Sequence, residues 1–364
     1  MLIAAAVCRQ ADRPVMIETL ELDEPRDDEV LVRIVAAGVC HTDLFAPSVF
    51  PLPAVFGHEG AGIVERVGTA VSKVKRGDRV AMTFGSCGHC RLCHEDSPAY
   101  CEQGHALQFS GQRADGSKTL RDTSGKTIHG SFFQQSSFAT YALGGERSVV
   151  KLPDSMPLER AGPLGCGIQT GAGAVLNSLG ASSGSSIAVF GVGSVGLAAV
   201  MAARIAGCSV IVAVDVNADR LSLALEMGAT HVLSNGEGDI AARVRGIAPA
   251  GVHYSLDTAG QVQTLHDAIS CLSRRGSCAI VTVPKLGAPF EFSGLDLLLG
   301  GRRLIAVLEG DSVPDKFIPQ LAQYYLDGRL PLDRICREYD FMDIARALED
   351  AHHARAIKPI LRMN

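Results

Sequence analysis

Short runs in which hydrophobic and polar residues alternate dominate the first 155 residues of the chain. The clearest runs are residues 30–35, 62–67 and 77–80, and the apolar N-terminus has the composition of a first strand. A period of two places successive side chains on opposite faces of a sheet. The pattern therefore predicts that this part of the chain is mostly β.

A different pattern begins near residue 185, where short β-branched runs alternate with helical stretches. The predicted strands are residues 187–190, 210–214, 231–233, 254–257 and 278–283. Residues 197–206 are rich in Ala and Val, and residues 217–227 are amphipathic and end at Gly228, so both are predicted to be crossover helices. Repeated strand–helix–strand units predict a parallel sheet.

The pattern changes again after residue 307. A helix is predicted over 315–326, a turn over 328–331, a second helix over 342–352 and a final strand over 357–361. We expect this tail to rejoin the first domain. Residues 104–130, which are rich in Gly, Ser, Thr and Lys, are predicted to be the only long irregular stretch.

Composition indicates a folded chain with two domains. The 364 residues exceed the roughly 250–300 at which single cores stop growing. The chain is 47% hydrophobic and has a net charge of −5 without a basic run, which argues against nucleic acid and anionic membranes as partners. It lacks both the features of a signal peptide and an apolar run of the roughly 18–20 residues that span a membrane. We expect a cytoplasmic protein that acts on neutral small molecules.

A glycine-rich turn follows the predicted strand 187–190 and opens an apolar helix. Its residues are Gly191, Val192, Gly193, Ser194, Val195 and Gly196. Backbone N–H groups in such a turn can approach a pyrophosphate at the helix N-terminus. Asp215 ends the next predicted strand, about 20 residues on, where a carboxylate binds the adenosine ribose and repels a 2′-phosphate. The sequence therefore predicts a dinucleotide site that prefers NAD to NADP.

Four of the 11 cysteines lie close together, and their spacing is typical of a zinc site. They are Cys87, Cys90, Cys93 and Cys101. Four thiolates close a tetrahedral shell without leaving an open position, so the predicted zinc is structural. A zinc module that binds nucleic acid is the alternative, but Glu95, Asp96 and Glu102 and the acidic chain argue against it.

A second group of candidate ligands is dispersed along the chain. It consists of Cys40 in a Cys-His-Thr-Asp turn, the His58–Glu59 pair in a Gly-His-Glu-Gly segment, and Cys166 between two glycines. Spacing alone does not identify these residues as ligands, because a lone Cys is more often a small buried hydrophobe and a lone His–Glu is more often a surface pair.

These motifs, taken in order along the whole chain, resemble those of the zinc-containing medium-chain alcohol dehydrogenases. The resemblance implies an α/β fold in which a mostly β, GroES-like catalytic domain with the zinc lobe spans residues 1–167. A doubly wound, Rossmann-type NAD-binding domain would span residues 168–307, and residues 308–364 would return to the catalytic domain. Copies of such relatives pair through their nucleotide domains, so a homodimer or homotetramer is expected.

The same resemblance implies roles for individual residues. Cys40, His58 and Cys166 would bind a catalytic zinc with one position open for substrate, and Glu59 would be a near or alternate ligand. Asp43 would orient His58, and Thr42 would pass the substrate proton. The implied cofactor contacts are His41 and Lys358 at the pyrophosphate, Thr170 and Val195 at the nicotinamide, and Arg220 beside Asp215 at the ribose.

The substrate is less clearly indicated. Candidate pocket residues near the zinc are Phe45, Phe50, Phe56, Thr83, Phe84 and Leu308. This apolar set suits an aryl or allylic primary alcohol, as in the bacterial benzyl-alcohol or geraniol type of enzyme, although core packing is the commoner fate of Phe. Phe45 also replaces the His that ends the proton relay in many relatives.

Two other functions remain open at this point. Glutathione-dependent formaldehyde-oxidising relatives, which are S-(hydroxymethyl)glutathione dehydrogenases, carry an Arg where this chain has His105. Other relatives have lost the catalytic zinc and serve as reductases or structural proteins, so a non-catalytic, zinc-lobed binding or structural protein is the other alternative, but here every ligand position is filled.

Overall fold

The computed structural model describes residues 1–236, 238–282 and 289–363. The first ten strands are β1 Leu2–Cys8, β2 Met16–Leu22, β3 Glu29–Gly38, β4 Ala54–Val55, β5 Glu59–Val67, β6 Arg79–Met82, β7 Leu120–Asp122, β8 Thr127–Ile128, β9 Tyr141–Gly145 and β10 Val149–Lys151. The later strands are β11 Ser186–Phe190, β12 Val210–Asp215, β13 His231–Ser234, β14 Val252–Asp257, β15 Leu272–Ile280, β16 Arg303–Ala306, β17 Cys336–Asp340 and β18 Lys358–Arg362.

The α-helices are α1 His41–Phe45, α2 Arg91–His94, α3 Gly104–Phe109, α4 Leu158–Ala161, α5 Gly167–Gly173, α6 Ser194–Ala206, α7 Ala218–Met227, α8 Ile240–Ile247, α9 Val262–Ser270, α10 Gly294–Gly300, α11 Pro314–Leu326 and α12 Ile344–His352. A π-helical turn, Ala174–Ser178, continues α5. Among the described residues, no helix combines the length and the apolar character that crossing a membrane requires.

The chain divides into two compact units. The first contains Met1–Cys166 and the stretch from Val313 onward, and the second is Gly167–Ser312. Residues 308–312, which the sequence assigned to the C-terminal return, pack within the second unit because Ser178 binds Asp311 and Asn177 binds the Gly310 carbonyl.

Two sheets build the first unit. One has the strand order β4-β1-β2-β7-β8, and the other has the order β10-β6-β5-β3-β18-β17 with β9 beside β3. Buried side chains of both sheets share one hydrophobic core, which includes Ala5, Leu20, Val32, Ile128 and Leu361. Strand β18, from the C-terminal tail, pairs antiparallel with β3 and so belongs to a sheet of the first unit.

The second unit contains a six-stranded sheet in the order β13-β12-β11-β14-β15-β16. Every pair in it is parallel, and helices connect most successive strands. Buried residues such as Phe190, Val212, Val244 and Leu265 pack helices against this sheet. This arrangement confirms the predicted doubly wound fold class.

Two sequence predictions of local structure were wrong. Residues 104–130 are not irregular throughout, because they contain α3, β7 and β8, and three of their apolar residues, Leu107, Leu120 and Ile128, are buried. Strand β15 begins at Leu272 rather than at residue 278, since a register shift lets it pair with β14 on both sides of a bulge. The predicted end of that strand, residue 283, lies outside the described residues.

Candidate active site

The dispersed ligand candidates converge in the first unit. Cys40 precedes α1, His58 precedes β5, and Cys166 follows the 3₁₀ turn Gly162–Gly165. The register of β3 with β5 pairs Gly38 with Glu59, which brings the first two segments together. The Sγ atoms of Cys40 and Cys166, a His58 ring nitrogen and a Glu59 carboxylate oxygen all lie within 4.8 Å of one another.

The environment of His58 fits a metal ligand. Its Nδ1 lies 2.8 Å from the Asp43 Oδ1, and both side chains are buried. The same carboxylate accepts hydrogen bonds from the backbone N–H groups of Cys40 and Gly57. Burial lowers the pKa of His58, but the charge and hydrogen bond of Asp43 outweigh it and raise the pKa well above its usual range. The buried Nε2 has no hydrogen-bond partner among the described residues, so it is available to a metal.

The Cys40 thiol is also prepared for metal binding. A hydrogen bond from Cys166 and the positive charge of Lys358 hold the pKa of Cys40 well below its ordinary value, although burial opposes this. Zinc prefers thiolate and imidazole ligands. Two thiols and one imidazole, with a carboxylate beside them, therefore form a candidate catalytic zinc site. The two thiols and the imidazole are three protein ligands, which leaves the fourth position of a tetrahedral zinc for another ligand.

Glu59 and Lys358 form a buried ion pair behind this site. The Lys358 Nζ lies 2.9 Å from both Glu59 carboxylate oxygens and also donates to the Val39 carbonyl at 3.1 Å. Burial raises the pKa of Glu59 despite the nearby ammonium charge. Lys358 is only 1% exposed and its ammonium is bound to these groups, a contact that the sequence did not predict, and its role at the pyrophosphate stays a prediction.

Thr42 and His41 lie in the first turn of α1. The Thr42 Oγ1 is 3.8 Å from the Cys40 Sγ, which places this hydroxyl beside the candidate zinc ligands. His41 is exposed. Their roles in proton transfer and pyrophosphate binding stay predictions.

The four clustered cysteines also converge on one point. Their Sγ atoms lie within 4.8 Å of one another, with Cys90 before α2 and Cys101 after the 3₁₀ turn Pro98–Tyr100. Backbone N–H groups of Glu102 and Cys93 lower the pKa of Cys90 to about 6, whereas burial raises the pKa of Cys101 to about 12. The group forms a candidate structural zinc site, as the spacing predicted.

The glycine turn and Asp215 lie side by side in the second unit. Gly191 has a φ of +84°, and a Cβ at Gly196 would collide with the Gly191 carbonyl, so glycine is needed at both positions. Asp215 accepts hydrogen bonds from the Val192 N–H at 2.7 Å and the Asn217 N–H at 2.9 Å. Arg220 lies in the first turn of α7, and its Nε has no hydrogen-bond partner among the described residues.

Thr170 and Val195 lie on two helices that pack together. Thr170 is on α5 and Val195 is in the first turn of α6. A Cβ at Gly171 would collide with the Val195 carbonyl oxygen, which shows how closely the helices approach. Both side chains are partly exposed, and their contact with a nicotinamide stays a prediction.

The predicted pocket residues divide into two groups that the sequence did not distinguish. Phe50, Phe56, Thr83 and Phe84 are buried, and the Thr83 hydroxyl donates to the Gly165 carbonyl. These four side chains are packed in the interior of the first unit and do not line an open pocket. Phe45 is 48% exposed and Leu308 is 51% exposed.

Sequence reasoning missed the side chains that contact His58. The Phe133 ring stacks on His58 with centroids 4.5 Å apart, and the Phe132 ring meets it edge-on at 5.5 Å. The buried Gln135 amide donates to the His58 carbonyl at 2.8 Å and accepts from the Gly60 N–H at 3.0 Å. These residues follow His58 by more than 70 positions and belong to no motif, so the sequence contained no signal for them.

Comparison with known proteins agrees with this geometry. A family model described as the alcohol dehydrogenase GroES-like domain matches residues 26–154, and one described as zinc-binding dehydrogenase matches residues 194–323. Geraniol dehydrogenase from Castellaniella defragrans is 45% identical over 361 residues, which cover 98% of this chain and 96% of that protein.

Two crystal structures match the full length of the chain. The alcohol dehydrogenase zinc-binding domain protein from Burkholderia ambifaria is 50% identical with a TM-score of 0.99, and the alignment covers 100% of this chain and 99% of that one. Benzyl alcohol dehydrogenase from Acinetobacter calcoaceticus is 40% identical with a TM-score of 0.97, and all of both chains is covered. With its two candidate zinc sites, the chain belongs to the zinc-containing medium-chain alcohol dehydrogenases, a family that uses NAD(P).

Proposed function

We propose that this protein oxidises an aryl or allylic primary alcohol to the aldehyde with NAD, and that the same site catalyses the reverse reaction. The observation that carries the proposal is the group formed by the partly buried Cys40 and the buried His58 and Cys166, in which the His58 Nε2 has no protein partner among the described residues. Bound zinc supplies a Lewis acid that lowers the pKa of a hydroxyl, and bound NAD supplies a hydride acceptor.

The protein residues have distinct tasks in this proposal. Cys40, His58 and Cys166 hold the metal, and Asp43 keeps the His58 ring oriented with its Nε2 free for coordination. The Thr42 hydroxyl, beside the Cys40 thiol, receives the proton of the substrate hydroxyl and passes it on. Glu59 stays near the metal as an alternate ligand while Lys358 neutralises it.

Binding of the cofactor depends on the second unit. The glycine turn 191–196 presents backbone N–H groups at the start of α6, where the helix dipole favours a pyrophosphate. Asp215 stands at the end of β12, and there its carboxylate binds ribose hydroxyls and disfavours a 2′-phosphate. The negative charge of Asp215 therefore favours NAD over NADP.

A partly exposed ring near His58 supports an unsaturated substrate. Phe109 is partly buried and contacts Phe132 and Phe133 edge-on, with ring centroids 5.9 and 5.2 Å away, and these two buried rings in turn contact His58. Rings of this kind favour aryl and allylic groups through stacking and edge contacts. The relatives named for geraniol and benzyl alcohol lend further support. His105 stacks on Phe109 and supplies no guanidinium for a glutathione carboxylate.

A panel of alcohols tests the proposed substrate class. The assay uses NAD and zinc-loaded protein. We expect kcat/KM for benzyl alcohol and geraniol to exceed that for ethanol by at least about 100-fold, because burial of the aromatic or allylic group of the substrate contributes roughly 3 kcal/mol. Hydroxymethylglutathione is included as the control for the glutathione-dependent alternative. A higher kcat/KM for ethanol or hydroxymethylglutathione would contradict the proposal.

We further propose that two copies of the chain pair through the edge of the parallel sheet. Strand β16 lies at one end of the six-stranded sheet. The neighbouring α10 has no buried residue, and its Leu295, Leu298 and Leu299 are 61%, 77% and 71% exposed. A second copy, related by a twofold axis, would pack against this end of the sheet and cover the leucines.

Sedimentation velocity tests this pairing. Leu298→Asp is expected to shift the protein from an oligomer toward the monomer at micromolar concentration, because burying an unpaired carboxylate in an interface is strongly unfavourable. Leu225→Asp, on the exposed face of α7, is the matched control and should leave the oligomer intact. A monomeric wild type, or an equal effect of both substitutions, would argue against this interface.

A further inference from the structure

The order of the parallel strands separates the two halves of a bound dinucleotide. The glycine turn follows β11, and Asp215 ends β12 on one side of it. Strands β14, β15 and β16 lie on the other side. If the adenosine ribose binds at Asp215, the nicotinamide half extends toward the carboxyl ends of β14–β16. The segment that follows β16 therefore lies on the nicotinamide side of the sheet.

This segment has a left-handed backbone at three successive residues, two of which are not glycine. Glu309, Gly310 and Asp311 have φ angles of +50°, +68° and +48°. Only Gly adopts the left-handed region readily, and a non-glycine residue there costs roughly 1–3 kcal/mol. Such strain persists where surrounding contacts impose it, and it is concentrated at functional sites.

Three side chains of one helical element impose the conformation. Gln169 donates from Nε2 to the Glu309 carboxylate at 3.2 Å. Asn177 donates from Nδ2 to the Gly310 carbonyl at 3.0 Å, and the Ser178 hydroxyl donates to the Asp311 carboxylate at 2.7 Å. We call Gln169, Asn177 and Ser178 the clamp. A Cβ at Gly173 would collide with the Gly310 backbone, so the two backbones are also in direct contact.

The helical element that carries the clamp also reaches the cofactor turn. Gln169 is on α5, whereas Asn177 and Ser178 are on the π-helical turn that continues it. A π-turn changes the direction of side chains within a helix and is frequent at functional sites. The same α5 carries Thr170 and packs through Gly171 on the first turn of α6. The strained segment is thus connected rigidly to the helix start where the pyrophosphate would bind.

We propose that the clamp positions residues 309–311 so that they hold the nicotinamide end of the bound dinucleotide. This inference rests on the proposed function. The clamp residues act through the strained segment, so they are positioning residues, and they leave the adenosine end unaffected.

Comparing two ligands tests the clamp. NADH and ADP-ribose share the adenosine and pyrophosphate groups, but only NADH has the nicotinamide. Asp311→Ala removes the acceptor for Ser178 and disfavours the left-handed backbone, so we expect the Kd of NADH, measured by calorimetry, to rise about 10-fold. The Kd of ADP-ribose should change by less than about twofold.

Two further variants make the test specific. Asp311→Asn keeps an acceptor oxygen and tolerates a left-handed backbone, so it should bind both ligands like the wild type. Ser178→Ala removes only the donor and carries the test if Asp311→Ala does not fold, with an expected rise of about fivefold for NADH alone. The clamp proposal fails if the variants weaken both ligands equally or weaken neither. If the wild type bound neither ligand, the proposed dinucleotide function would itself be wrong, and the clamp with it.

Discussion

Replacing Cys166 with Ala is expected to abolish alcohol oxidation while leaving the protein folded. The substitution removes one of three ligands from the open metal site and does not touch the four-cysteine lobe. Because a bound metal contributes several kcal/mol of transition-state stabilisation, kcat should fall by at least about 10³-fold. Metal analysis should show a decrease from two zinc ions per chain toward one. Steady-state kinetics, zinc content and a thermal unfolding curve measure these effects together.

Cys93→Ala is expected to reduce the stability of the fold, in contrast to Cys166→Ala. A closed four-thiolate site contributes to folding, roughly 10 kcal/mol or more in small zinc domains, so this variant should unfold at a clearly lower temperature. Cys8→Ala is the matched control, because Cys8 is a buried thiol of the same unit that belongs to neither ligand group. A Cys166→Ala protein that had lost one zinc and kept near wild-type kcat would reverse the assignment of the two sites.

Asp215→Asn is expected to reduce the preference for NAD over NADP by at least about 100-fold. A carboxylate and a phosphate about 4 Å apart repel each other by roughly 4 kcal/mol at an effective dielectric constant near 20, and each 1.36 kcal/mol is a factor of ten. The neighbouring Arg220, whose Nε has no partner among the described residues, could then bind a 2′-phosphate. The ratio of kcat/KM for the two cofactors measures the effect.

A second substitution separates charge from positioning. Asp215 also binds the Val192 and Asn217 N–H groups, so its removal could loosen the glycine turn. Asp215→Asn keeps one of the two acceptor oxygens, whereas Asp215→Ala removes both. If charge determines the preference, both variants change the cofactor ratio to a similar extent, whereas ADP-ribose binding should be weakened more in Asp215→Ala than in Asp215→Asn. An unchanged ratio in Asp215→Asn, or equal use of both cofactors by the wild type, would refute the role of Asp215.

The buried Glu59–Lys358 pair is a contact that only the tertiary structure reveals. From the sequence, Lys358 has only the pyrophosphate role that the family resemblance implies, and nothing near it in the chain indicates a carboxylate partner. In the fold, β18 pairs with β3, and this places the lysine within 2.9 Å of a carboxylate 299 positions away. Desolvation keeps both charges together, since either alone would be unstable in the interior.

The sequence alone was sufficient for features that depend on residues close together in the chain. A tight turn between a strand and a helix requires glycine at Gly191 and Gly196, and four thiols on one loop can close around a metal whatever surrounds them. The alternation of strands and helices after residue 185 likewise predicted the parallel sheet, because side-chain periodicity follows directly from backbone geometry.

Only the tertiary structure decided which distant residues meet. The ligand candidates Cys40, His58 and Cys166 come together because the register of β3 with β5 and the path of the chain bring separate segments to one point. The spacing of these residues along the sequence does not predict this. The stacking of Phe133 on His58 and the burial of Phe50 and Phe56 depend on the same packing. Hydrophobicity specifies that a Phe is buried, but the shape of the surrounding core determines whether its ring fills the interior or contacts a metal ligand.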